Sequence, residues 1–453
     1  MIQKYFRFKG LLQSNGWTSP AYIGVDSEGI IQYISQNPPE DAFPFEAVNG
    51  YIIPGFQNAH SHAFQYAMAG MAERHEPGTK DDFWTWREAM YGLALSLDPE
   101  QMKAVAAVAY AEMLRSGYTN VTEFHYVHND LNGEPYNNRA ILAEALIEAA
   151  ALAGIKITMV PGYFNKGGFG LPAHPRQKRF ISNSVADYFK LLYATESITS
   201  KHKHASLGFG VHSMRAVEPA EIIEVYEQGP KELPFHMHIA EQLKEIEDCE
   251  TYLGIRPMHW LLDNMPLDNR FFLVHCTHLN EHELNGLAKS GATAVLCPST
   301  EGNLGDGIFR MTDYASMSGN WCIGTDSHIC LNPLEDLRWI DYAQRMLTHQ
   351  RNAISNDGAA LLFKQALRNG RKAMGNKQRA YFDVGQPLDA VVYDAESPLI
   401  SIANTENFLP VIIYTGASSA RLGTLINGKW VVKNNKHNKS AQLELELKSA
   451  LNK

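Results

Sequence analysis

The chain runs to 453 residues, 45% of them apolar and 20% charged, with a formal net charge of −9. That length buries a large core, and the composition is that of an ordinary soluble globular protein. No basic block relieves the negative sign, which argues against nucleic acid or an anionic membrane as partner, yet a few local arginines still suffice to hold a small acidic substrate.

Five cysteines (Cys249, Cys276, Cys297, Cys322 and Cys330) show no CxxC spacing, and three of them sit in apolar runs. This favours a reducing compartment without a disulfide framework. The N-terminal stretch lacks a signal-peptide core and no apolar run reaches membrane-spanning length, so a cytoplasmic protein is expected.

In chain order, residues 5–12 read as a strand, and 21–26 with 30–34 read as a hairpin turning at Gly29. After residue 50, short apolar runs alternate with helical patterns, the signature of βα units around a parallel sheet. Eight runs can be counted: 51–54, 119–124, 155–160, 207–211, 235–240, 271–276, 292–297 and 321–324. Asp98-Pro99-Glu100-Gln101 combines an N-cap, a first-turn proline and a capping-box glutamine, opening a helix that ends near Gly117. Further helices are expected over 138–153, from Asn332-Pro333 to Thr348, and over 357–374. The Gly-rich segment 165–180 reads as a mobile lid. Beyond Gly385 strand texture returns at 390–394, 410–415, 424–426 and 430–432, followed by a polar tail helix. The expected α/β architecture is an eight-fold barrel over residues 53–380, with a small β-domain built from residues 1–52 and 381–453.

In such a barrel the active site lies at the C-terminal ends of the strands. The residues there are His60 and His62, His125 and Tyr126, His212 and Arg215, His236, His238 and Glu241, His275, and Asp326 with His328. His60, His62, His238 and Asp326 assemble a mononuclear metal site with one position left for water, which the metal acidifies. Zinc suits this donor set, as does iron. Glu241, three residues beyond a ligand, is placed as proton shuttle, and His275 to stabilise charge; Asp326 is counted with them as catalytic. Asp326 read as a helix cap is the bland alternative. His236 is placed one layer deeper as a packed residue. His125, His128, His278 and His328 are given supporting roles, and His75, His174, His202, His204, His259, His282, His349 and His437 structural ones. Arg215, and Arg87 in the aromatic stretch Asp82-Phe-Trp-Thr-Trp-Arg, suggest a carboxylate substrate. Trp84 and Trp86 serve equally well as core or dimer contacts.

Several stretches resemble the amidohydrolase superfamily, and within it the formimidoylglutamate deiminase family. They are Pro54-Gly-Phe-Gln-Asn-Ala-His-Ser-His-Ala-Phe-Gln, Phe83-Trp-Thr-Trp-Arg-Glu, Glu123-Phe-His-Tyr, Val211-His-Ser-Met-Arg-Ala-Val, His236-Met-His-Ile-Ala-Glu-Gln, Leu273-Val-His-Cys-Thr-His, Cys297-Pro-Ser-Thr-Glu-Gly-Asn-Leu-Gly-Asp-Gly and Gly324-Thr-Asp-Ser-His. The resemblance implies a distorted (β/α)8 TIM barrel with a β-sandwich from both termini, a single zinc ion and a homodimer. It implies His60, His62, His238 and Asp326 as ligands and Glu241 and His275 in catalysis. Gln65, Arg87, Tyr126, His212 and Arg215 would contact a dicarboxylate substrate. The implied reaction is deimination of N-formimidoyl-L-glutamate to N-formyl-L-glutamate and ammonia. The rivals are a purine or triazine aminohydrolase of the same superfamily, and a non-catalytic scaffold on the same barrel.

Overall fold

The computed structural model describes residues 1–40, 44–73, 81–416 and 418–452. At its centre stand eight strands: β1 (Phe56–Ser61), β2 (Tyr118–His125), β3 (Lys156–Tyr163), β4 (Phe209–Ser213), β5 (Phe235–Ile239), β6 (Phe271–His275), β7 (Thr293–Leu296) and β8 (Asn320–Ile323). They pair in sequential order, each parallel to the next. The ring closes where Ser61 bridges Asp326. There His60 O accepts from Thr325 N and Asp326 N at 3.0 Å, and the Asn58 side chain binds Thr325 through N at 3.0 Å and Oγ1 at 2.8 Å. The metal-type residues of β1 and those after β8 are thus brought together by the closure itself.

Local signals explain the helices that wrap this ring. Asp98 accepts from Gln101 N at 2.8 Å while Gln101 Oε1 accepts from Asp98 N at 3.0 Å, which starts Pro99–Ser116. Gly117 ends it at φ 100°, a conformation that glycine adopts without a Cβ clash. Helices Ile141–Ala153, Pro333–Thr348 and Gly358–Ala373 fall within the expected spans.

Both termini build the remaining sheets. Strands Gly10–Gln13, Gly16–Thr18 and Gly50–Pro54 join Ala390–Asp394, Arg421–Ile426, Lys429–Lys433 and Lys436–His437 in one sheet of seven. Lys4–Phe8, Ala21–Val25, Ile31–Ser35 and Phe45–Ala47 form a second, of four. No helix among the described residues is long and apolar enough to cross a membrane.

Three expected strands differ: the run 5–12 divides at Lys9 into Lys4–Phe8 and Gly10–Gln13, which join different sheets. The run 51–54 pairs with Gly10–Gln13 and Ala390–Asp394 in the terminal sheet, and the first barrel strand begins only at Phe56. That strand is buried throughout despite Gln57 and Asn58, because the Gln57 amide donates to Gly55 O and that of Asn58 is satisfied across the seam. Segment 410–415 is helical rather than extended: a turn over Phe408–Pro410 runs into a wide turn over Val411–Thr415. Its β-branched composition favours a strand, but burying Ile412 and Ile413 while Tyr414 donates to Asp341 at 2.5 Å decides otherwise.

Candidate metal centre

β1 carries His60 and is followed at once by His62, β5 carries His238, and Asp326 follows β8. All four are buried. The three Nε2 atoms lie 3.2, 3.3 and 3.0 Å apart, and Asp326 Oδ1 is 3.3 Å from His60 Nε2 and 3.2 Å from His62 Nε2. All four donor atoms fall within 4.8 Å of one another.

The protonation pattern tests whether a cation belongs there. His62 Nδ1 donates to Phe124 O and His238 Nδ1 to His212 O, both at 2.8 Å. A carbonyl only accepts, so each Nδ1 carries a proton, and in the neutral tautomer this leaves the two Nε2 atoms, 3.3 Å apart, as the ones free to ligate a cation. Two such nitrogens at that range suit a shared positive ion between them. Burial pushes His60 down to about 3 and His238 well below the usual imidazole range. Burial raises the Asp326 carboxyl, but His60 and His62 more than offset this and hold it well below its ordinary value. Neutral imidazoles beside an ionised carboxylate are the states a divalent transition metal requires, and the donor set fits one ion.

Around this centre the backbone is strained. Ala240, His275 and Asp326 take positive φ of 53°, 73° and 47°, a region costly for residues with a Cβ and concentrated at functional sites. Glu245, fully buried, accepts from both Ala240 N and Glu241 N at 3.0 Å and so fixes the turn that presents Glu241. Glu241 Oε2 accepts from Arg215 Nη2 at 2.6 Å, and its Oε1 faces His275 Nε2 at 3.5 Å. Burial lowers His275, but the charge of Glu241, with Glu301 and Asp326, outweighs it and raises the imidazole to about 10. Asp306 stands beside this pair, its carboxyl within 4.8 Å of the Glu241 and His275 donor atoms. Burial and then the charge of Glu241 push the Asp306 carboxyl well above its ordinary range, which favours its neutral form. Gln242 Nε2 donates to its Oδ1, while Oδ2 has no partner among the described residues.

Gln65, Arg87, Tyr126, His212 and Arg215 line one cavity together with His62, His238, Glu241, His275 and Asp326. His60 is fully buried behind them. The free volume is about 70 Å³, well below the roughly 300 Å³ at which ligand pockets begin; Arg215 folds across it onto Glu241. This differs from the expectation that both arginines await a substrate carboxylate. Arg87 does stand unpaired among the described residues: its guanidinium lies 4.4 Å over Trp84 and 5.4 Å from the Tyr91 ring, and its Nε has no partner. It rides on helix Phe83–Ala94, which Asp82 caps. Tyr126 Oη accepts from Gln65 Nε2 at 3.0 Å.

The remaining histidines divide as their surroundings dictate. His236 Nε2 bonds Ala373 O at 3.0 Å beneath the centre, His128 bonds Gly162 O at 3.1 Å, and His278 bonds Asp306 O at 2.8 Å. His328 Nε2 lies 3.2 Å from Ser61 Oγ, and His125 packs against His128. His204 and His437 bond backbone carbonyls, and His75 lies outside the described residues. Segment 165–180 is anchored at both ends: Asn165 N and Lys166 N donate to Ala216 O at 2.9 Å, and the fully buried Arg179 grips Ala94 O, Leu97 O and Asn129 O. Four acidic groups escaped the sequence reading: Glu123, Glu245, Glu301 and Asp306. Glu123 takes Ser61 Oγ and Ala63 N, each at 2.6 Å, and so pins the segment carrying both first histidines. Its signal was a lone acid within an apolar strand.

Comparison with known proteins agrees with this geometry. The chain matches the amidohydrolase family over residues 51–431. It is 40% identical over 431 residues to the formimidoylglutamate deiminase of Pseudomonas aeruginosa, covering 94% of each chain. An amidohydrolase from Brucella melitensis superposes with a TM-score of 0.93 at 36% identity, over 99% of both chains. An adenosine deaminase from Xanthomonas campestris with bound zinc shares the fold, at 20% identity and a TM-score of 0.82 over 100% of this chain and 98% of its own. A closed parallel barrel with these donors at its mouth, and a match over most of its length, carry one conclusion: the chain belongs to the amidohydrolase family.

Proposed function

We propose that the protein hydrolyses N-formimidoyl-L-glutamate to N-formyl-L-glutamate and ammonia, a step of histidine degradation. The observation that carries this reading is a single cavity shared by a metal-type cluster and two guanidinium groups, Arg87 and Arg215. Guanidinium recognises carboxylate through paired hydrogen bonds; the substrate has two carboxylates, whereas a purine or triazine ring has none. The 40% identity to a formimidoylglutamate deiminase supports the same assignment.

His60, His62, His238 and Asp326 would hold one divalent ion, zinc in the first instance, with iron(II) suiting the same donors. When bound, the ion supplies the Lewis acidity that makes water nucleophilic near neutral pH. As the water oxygen adds to the formimino carbon, Glu241 takes its proton at Oε1, the oxygen that Arg215 leaves free. Glu241 relays both water protons in turn to the terminal nitrogen; the bond from carbon to that nitrogen breaks, ammonia leaves, and the formyl C=O remains. His275, held protonated by the acids around it, stabilises the charge that grows on the oxygen. Arg87 holds one substrate carboxylate, Arg215 turns towards the other, and Gln65, Tyr126 and His212 complete the wall.

We assign the protein to the cytoplasm, in keeping with its five free cysteines. We also assign it a homodimer, supported by the outward face of helix Pro333–Thr348, where Trp339, Met346 and Leu347 are exposed. A steady-state ammonia assay tests the function, using N-formimidoyl-L-glutamate, its aspartate homologue, guanine and adenosine. Only the two formimidoyl dicarboxylates should be turned over; release from guanine or adenosine, with none from formimidoylglutamate, would overturn the assignment.

A further inference from the structure

At the opposite end of the barrel, between the starts of β5, β6 and β8 and the helix Gly358–Ala373, lies a cavity of about 650 Å³. Seven of its lining residues are lysine or arginine, and Glu232 is its one acid. The fold itself uses two of the seven: Lys231 Nζ donates to Tyr226 O and Glu227 O, and Arg270 pairs with Asp268. The other five, Lys364, Arg368, Lys372, Lys377 and Arg379, form no ion pair among the described residues.

Three of these recur every fourth residue, at Lys364, Arg368 and Lys372, so they stack on one face of the helix. Like charges at that spacing oppose helix formation. Arg368 Nε is buried without a partner among the described residues. Burial, followed by the charges of Arg379 and Arg368, holds the Lys372 ammonium below its ordinary range. Unpaired cations gathered round one cavity, in a chain whose net charge is −9, focus a local positive potential against the sign of the whole. Gln365, Asn376 and Gln378 add amide donors to the wall. No aromatic face is offered to a base: Phe272 is buried, its ring stacked on His236.

We propose that this cleft binds a compact polyanion, a small molecule with several adjacent phosphate or carboxylate groups and no need of a stacked base. It lies at the end of the strands remote from Glu241, so its occupant does not compete with substrate for space.

The test is calorimetric titration of the metal-loaded, full-length protein with pyrophosphate and, separately, with citrate, comparing wild type with the R368E/K372E variant. At least one probe should bind wild type saturably, more weakly as salt rises, with its Kd raised about tenfold or more in the variant. The preferred arm identifies phosphate or carboxylate as the natural chemistry. Ammonia release without probe should be the same in both proteins. Both probes chelate divalent ions, so equal heats in wild type and variant would mean metal stripping and would overturn the proposal. So would the absence of saturable binding in both arms, or binding of a single-stranded oligonucleotide alone. Should R368E/K372E fail to fold, the exposed pair K364E/K377E carries the same comparison.

Discussion

In the metal half of the cavity two of the three imidazoles are fixed by backbone carbonyls of neighbouring strands, whereas in the arginine half the guanidiniums rest on other side chains. His62 and His238 are aimed by the carbonyls of Phe124 and His212, and the Asp326 main chain is tied to His60 O across the seam. Arg87 lies on the rings of Trp84 and Tyr91, and Arg215 closes onto Glu241. A centre that must keep its geometry to a fraction of an ångström is built on carbonyls of the barrel strands, which do not move without disturbing the barrel. A wall that must admit and release an acid is built on contacts that an incoming carboxylate can replace.

If that contrast is right, damage to the metal half is the most severe. His238→Ala or Asp326→Ala should lower ammonia release by about 10⁴-fold or more. Chelation should do the same to wild type, with activity returning on added zinc in wild type only. Metal content and rate, measured on the same samples, check this; a variant without metal that kept its rate would break the comparison. Glu241→Gln comes next. It should retain metal yet lose about 10²–10⁴-fold in kcat, the span expected when a positioned proton relay is removed.

Arg87→Gln should act differently, through KM rather than kcat. Truncating one partner of a buried charge-assisted contact costs about 2–5 kcal/mol, so kcat/KM for formimidoylglutamate should fall by about 30-fold or more while metal content is unchanged. Steady-state kinetics separate the two parameters. A fall confined to kcat would mean that Arg87 serves the chemistry, and the division of the cavity into two halves would fail.

Much of the metal half was legible in the sequence because position at a strand end determines it: once β5, β6 and β8 are located, His238, His275 and Asp326 must meet at one mouth. Helix starts were legible where one short stretch contains both capping partners, as at Asp98 and Gln101. The first barrel strand was not, because the group that makes a buried Asn58 tolerable is Thr325, 267 residues away. The pairing of Arg215 with Glu241 was hidden for a related reason. Both residues were identified, but whether a guanidinium points to a substrate or to a neighbouring carboxylate is a matter of rotamers, on which spacing is silent. Glu123, Glu245 and Glu301 went unassigned because their partners are mostly backbone N–H groups and a hydroxyl, which leave no pattern in composition.

Asp306 gives the smallest expected effect and the sharpest contrast with Glu241, since the two carboxyls of one cluster are given different tasks. Burial and the Glu241 charge raise Asp306 to about 9, so at neutral pH it is an acid that donates rather than a base that accepts. Asparagine also donates there and carries no charge, so Asp306→Asn should keep its rate within about threefold, far from the loss expected of Glu241→Gln. Stability should respond in a definite direction. A carboxyl whose folded pKa is raised contributes most below its unfolded value, and wild-type stability then falls as pH climbs towards the folded pKa. The variant has no such group. Its melting temperature relative to wild type should therefore rise steadily from about pH 4 towards about pH 9. A flat difference across that range would mean that Asp306 is ionised in the folded protein, and both carboxyls would then belong to the same charged cluster.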